Sequence, residues 1–125
     1  MSGPPVDLVD ETFIVAERAL LAGRISDPAL WPQWWPDLRL TVVTDRGLDG
    51  IRWSVAGALS GTAEIWLEPW RDGVIVHWFL RAQAFAGREG ERLRHRYATA
   101  FKRRIHALKD DLERGRPAGL PRGHG

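Results

Sequence analysis

At 125 residues the chain fits one domain, and its 44% hydrophobic content is enough for a core, which excludes global disorder. There is no cysteine, so disulfides, thiolate metal sites and cysteine nucleophiles are excluded. The net charge is only +2, and of the 18 basic residues only Lys102 and Lys109 are lysine, an arginine bias usual in GC-rich genomes and no mark of nucleic-acid binding by itself.

The N-terminus MSGPPVDLVDE lacks the basic start and apolar run of a signal peptide, and no apolar stretch approaches the roughly 18 residues a bilayer span needs. The expectation is a cytoplasmic protein. Residues 1–6 read as a loose leader. The Gly- and Pro-rich residues 115–125 read as a flexible tail, which leaves a single domain over 7–114.

In chain order, the alternation in Asp10–Ala16 (DETFIVA) predicts a first strand. Glu17–Ile25 predicts a short helix with Leu21 and Ile25 on one face. Ser26 or Asp27 then caps a second short helix that starts on Pro28 and is broken at Pro32 and Pro36. This broken segment carries Trp31, Trp34 and Trp35, with Leu30 and Trp34 on one face.

Four strands follow, at Arg39–Asp45, Ile51–Ala56, Leu59–Glu68 and Val74–Ala82. Gly47, Asp49-Gly50, Gly57 and Asp72-Gly73 supply the turns of an antiparallel meander. Alternation places Leu40 and Val42, then Ile51, Trp53 and Val55, then Ala63, Ile65 and Leu67, then Val74, Val76, Trp78 and Leu80 on the inner face. From Arg88 to Arg114 the period becomes helical, with Leu93, Tyr97, Phe101, Ile105, Leu108 and Leu112 in one stripe that must bury itself against the sheet.

The segment ISDPALWPQWWPDLRLTV (residues 25–42) and the final helix FKRRIHALKDDLE (residues 101–113) resemble the START-like, polyketide cyclase/dehydrase (SRPBCC) superfamily. The resemblance implies an α+β helix-grip fold, with a curved antiparallel sheet of about five strands wrapped on a long C-terminal helix and two short helices after strand 1. It also implies a cavity for an apolar small molecule that is lipid-, polyketide- or aromatic-like. Such relatives usually carry six strands after the helix pair, against four here, so the sheet looks shortened. The superfamily has no universal catalytic residues. A cyclase/dehydrase-type enzyme is therefore the alternative to simple binding, and catalytic residues stay unassigned.

Seven tryptophans in so small a domain favour a ligand site. The candidate ligand-binding residues are Trp31, Trp34, Trp35, Trp53, Trp78, Tyr97 and Phe101, with Trp31, Trp34 and Trp35 as a gate over one end of the sheet. The opposite face carries His77, with Glu64 as its expected cross-strand partner, and the apolar Trp66, Ile75 and Phe79. That patch, together with a free sheet edge, suggests a homodimer.

His95 and His106 lie three turns apart on a helix and cannot share a metal, and His124 is in the tail. HExxH, GxSxG and GxGxxG are all absent, so neither metal nor cofactor is expected. The arginines between Arg88 and Arg104 leave nucleic-acid binding as a weaker reading, and a purely structural dimer another.

Overall fold

The computed structural model describes residues 2–85 and 89–114. Five strands, β1 (Ser2–Ile14), β2 (Leu38–Asp45), β3 (Gly50–Gly57), β4 (Leu59–Trp70) and β5 (Gly73–Phe85), form one antiparallel sheet in the order β1-β5-β4-β3-β2. Between β1 and β2 run α1 (Arg18–Ile25), a 3-10 turn (Pro28–Leu30) and the single-turn α2 (Trp31–Trp34). The 24-residue α3 (Gly90–Glu113) closes the described chain and lies across β1 and β5. This is the expected helix-grip architecture.

The inner-face sets on β3, β4 and β5 are buried, and they meet Tyr97, Phe101, Ile105 and Leu108 of α3. Apolar side chains at every second strand position meet apolar positions three and four apart on the helix, so two periodicities share one core. Gly50 illustrates a local demand of the turn into β3. Its φ is +127°, and a Cβ there would lie 2.0 Å from the Ile65 carbonyl oxygen, so only glycine fits.

Several expectations need correction. Residues 2–6 are no loose leader, because β1 begins at Ser2 and pairs with β5 from Ser2 opposite Phe85 through Ile14 opposite Val74. Pro4 and Pro5 hide this in the sequence; they are tolerated because β1 is an edge strand with one face of its hydrogen-bonding unused. Val42 is not inside either: it is 44% exposed, beside a register shift between Val42 and Thr44, on an edge strand. The third concerns His77 and is given below. The expected tail, 115–125, lies outside the described residues.

Candidate functional site

The inner face of the sheet gathers most of the aromatic residues into one network. Trp53 projects from β3 opposite the small Ala63 of β4, which leaves room for its indole. Trp78 projects from β5 opposite Ile65. Phe101 comes down from α3 and stacks on Trp78 at 4.1 Å between ring centroids, with the planes 11° apart. Trp35, just after α2, sits 5.0 Å from Trp53, 6.4 Å from Phe101 and 6.5 Å from Trp78. Trp34 packs on Phe101 at 5.5 Å, and Trp31 meets Trp53 edge-on at 5.4 Å.

The fold thus connects six of the seven expected ligand-binding residues ring to ring. The seventh, Tyr97, is fully buried one turn before Phe101 and donates its hydroxyl hydrogen bond to the Pro36 carbonyl at 2.8 Å. Burial pushes that hydroxyl above the ordinary tyrosine range, with the neighbouring Arg96 guanidinium opposing the shift. It therefore stays a neutral donor. The side chains expected to stand around an open cavity are in mutual contact instead.

Two tethers hold the gate. At its start, Asp27 caps the 3-10 turn by accepting from the Ala29 amide at 3.0 Å, and the Trp31 indole donates to the Ile25 carbonyl at 2.7 Å. At its end, Arg96 pairs with Asp37 at 2.6 Å beside the Tyr97–Pro36 bond. Asp37 has a φ of +65°, the left-handed conformation that turns the chain from the gate into β2. Between these tethers α2 is only four residues long, too short to be stable without its packing. A groove of about 170 Å³ runs along it, lined by Leu30, Gln33 and Trp34 on one side and Arg104, Ala107 and Leu108 on the other.

Three atoms in the cluster are anomalous. The indole N–H groups of Trp35, Trp53 and Trp78 are buried and have no hydrogen-bond partner. A buried donor left unpaired costs about 1–3 kcal/mol, and folded proteins carry few of them. Strand register sets Asp10 of β1 opposite Trp78, where it pairs with Lys102 at 2.6 Å and accepts from Thr12 at 3.1 Å.

His77 lies on the outer face, as its alternation requires, but its partner is not Glu64. Its Nε2 is 2.9 Å from Glu68 and its Nδ1 3.4 Å from Glu11, while its ring stacks on Trp66 at 4.5 Å. Register explains this. His77 sits opposite Trp66, so Glu64 and Glu68 are both diagonal to it; Arg46 engages Glu64 and leaves His77 to Glu68. This arrangement braces three strands and lies on the far side of the sheet from the aromatic cluster.

The arginines of α3 are partly spoken for. Arg92 pairs with Glu89, Arg96 with Asp37, and Arg94 donates to the Asp7 carbonyl. Among the described residues no group of three or more His, Asp or Glu could hold a metal ion, and no helix is long and apolar enough to cross a membrane.

No protein-family model and no curated protein matches the sequence. Solved structures do. The solution structure of the Aha1 dimer from Colwellia psychrerythraea is 15% identical, aligns over 90% of this chain and 99% of its own, and has a TM-score of 0.65. A START superfamily protein from Mycobacterium smegmatis is 11% identical over 86% of this chain and 97% of its own, at 0.58. The di-domain ARO/CYC StfQ of the steffimycin biosynthetic pathway is 15% identical over 86% of this chain, at 0.55, and the chain spans about half of its length. With the sheet order and the long closing helix, these likenesses show that the chain has the START-like helix-grip fold.

Proposed function

We propose that the protein binds an apolar small molecule between the inner face of the sheet, α2 and α3, among Trp31, Trp34, Trp35, Trp53, Trp78, Tyr97 and Phe101. The observation that carries the reading is the buried aromatic cluster roofed by a single helical turn held at its two ends. A roof of one turn held at its two ends can lift without unfolding the sheet or α3, as ligand entry would require. The solved aromatase/cyclase relative of the same fold supports a ligand of this kind. Binding is put ahead of cyclase-type catalysis because Asp10, the carboxylate that strand register sets opposite Trp78, is already paired with Lys102 at 2.6 Å.

The neutral fluorophore 1-aminoanthracene is a suitable probe. Burying about 300 Å² of apolar surface is worth about 7 kcal/mol before the costs of association and of moving α2. Those costs weaken binding below the ~10 µM that 7 kcal/mol alone would give, so a dissociation constant on the order of 1 mM is expected. Titration should saturate at one probe per chain, with energy transfer from tryptophan. A linear, unsaturable rise would remove the proposal.

We further propose that the chain forms a symmetric dimer through the outer face. Trp66 is 41% exposed there, Val9 is 70% exposed, and Phe79 and Ile75 are half-buried between them. Asp7 and Glu11 lie on the β1 side of this face and Arg52 on the β3 side, so a two-fold axis would set acid against base. The Colwellia relative is a dimer. Light scattering at high micromolar concentration should give twice the 14.1 kDa chain mass, and Trp66→Glu should return one chain that is still folded. A single-chain mass for the unmodified protein would exclude the dimer.

A further inference from the structure

We propose a second site, on the outer face of the sheet, where Arg52, Arg81 and Phe79 bind a phosphate monoester that carries a flat apolar group. A pocket of about 320 Å³ opens there, lined by Arg52 of β3, by Thr62, Ala63 and Glu64 of β4, and by Phe79 and Arg81 of β5. Strand register explains the grouping. Arg52, Glu64 and Phe79 form one cross-strand row, and Thr62 and Arg81 stand side by side in the next. From strand spacing and rise, the Cα atoms of Arg52 and Arg81 lie about 12 Å apart across β4, close enough for both long side chains to close on one group. The short Thr62 side chain between them leaves the depression.

Charge selects the ligand. On an ordinary polar sheet face Arg52 would pair with Glu64, directly opposite it. Here Arg46, from the turn after β2, engages Glu64, and Arg52 makes no ion pair with any described residue. Arg81 makes none among the described residues either, although Asp7 stands opposite it on β1, outside the pocket lining. The guanidiniums of Arg46, Arg52 and Arg81 thus stand against one carboxylate, a local excess of two positive charges. A carboxylate ligand would match only one of them. A phosphate monoester carries close to two negative charges at neutral pH and three acceptor oxygens, which two guanidinium forks and the Thr62 hydroxyl can meet from three sides. The half-buried Phe79 ring is the apolar wall on which a flat group can stack. The pocket lies across the sheet from the aromatic cluster and shares Arg52 and Phe79 with the proposed dimer face, so ligand and second copy compete for it.

The probe is phenyl phosphate, titrated into the ¹⁵N-labelled full chain and into Trp66→Ala, which weakens a dimer on this face without adding charge. Saturable amide shifts are expected at Thr62, Glu64 and Arg81 in at least one of the two proteins, with none at Trp78 or Phe101. Arg52→Gln and Arg81→Gln should each weaken binding about tenfold. Arg103→Gln, the same charge change on α3, should leave it unchanged. Benzoate, with a single charge, should bind about tenfold more weakly than phenyl phosphate. Phe79→Ala should erase the advantage of phenyl phosphate over inorganic phosphate. No saturable shift in either protein would overturn the proposal and leave apolar binding in the aromatic cluster standing. An equal loss in Arg103→Gln would reduce the effect to general charge attraction and overturn the site. Equal affinity for benzoate would overturn the phosphate class. Shifts confined to Trp78 and Phe101 would place the phenyl ring in the aromatic cluster and also contradict the outer-face site.

Discussion

Replacing Trp78 by alanine should cost about 3–5 kcal/mol of stability, the range of large aromatic truncations in packed cores. Trp78 is 1% exposed, stacks on Phe101 at 4.1 Å and faces Ile65 across the β4–β5 ladder. Its loss empties the centre of the sheet-to-helix contact, where α3 has few other ways to hold β5. For a domain whose total stability is about 5–15 kcal/mol, such a loss leaves little margin. Part of the cost belongs to the pair. A double-mutant cycle with Phe101→Ala should return a coupling of about 0.5–1.5 kcal/mol, as expected of stacked rings beyond their area. Trp70→Ala is the control: that ring is 49% exposed and its removal should change stability by about 0.5 kcal/mol or less. Urea denaturation measures all four variants. A cost below 1 kcal/mol for Trp78→Ala would mean that the ring cluster is not what joins sheet and helix.

The second large effect is expected at the gate. Trp34 is 5% exposed and packs between Phe101 at 5.5 Å and Trp35 at 5.9 Å. Trp34→Ala should also cost about 3–5 kcal/mol. It differs from Trp78→Ala in its kinetic signature. Trp34 is the last residue of α2, so its truncation unpins the roof while Trp53 and Trp78 stay in place. Association and dissociation of 1-aminoanthracene should both accelerate. Stopped-flow fluorescence reads this directly. A stability loss under 1 kcal/mol with unchanged probe kinetics would show that α2 is not the moving part.

Much of this was legible in the sequence, and what was not has definite physical causes. β2 to β5 and α3 announced themselves because turn residues separate clean period-2 runs, and because the stripe from Tyr97 to Leu108 keeps one helical face. The start of β1 did not, since Gly3, Pro4 and Pro5 are poor strand formers that an edge position tolerates and propensity cannot foresee. The exposure of Val42 follows from a register shift in β2, which leaves no trace in a hydrophobic pattern. For His77, alternation gave the face and could not give the partner, because choosing Glu68 over Glu64 depends on which diagonal Arg46 has occupied. The candidate site was read from composition and alternation as a set of residues around a space. Their ring-to-ring closure, and the three orphaned indole donors it leaves, are properties of packing.

The central claim is that an apolar molecule enters this cluster from beneath α2, and its most direct test is where a bound molecule sits. Intermolecular NOEs should be collected from the ring protons of 1-aminoanthracene in its complex with the full chain. The prediction is NOEs to the Trp78 and Phe101 rings, with others to Trp34 or Trp35 on the gate. NOEs confined to Trp66, Phe79 and Val9 would place the molecule on the outer face of the sheet and contradict the claim.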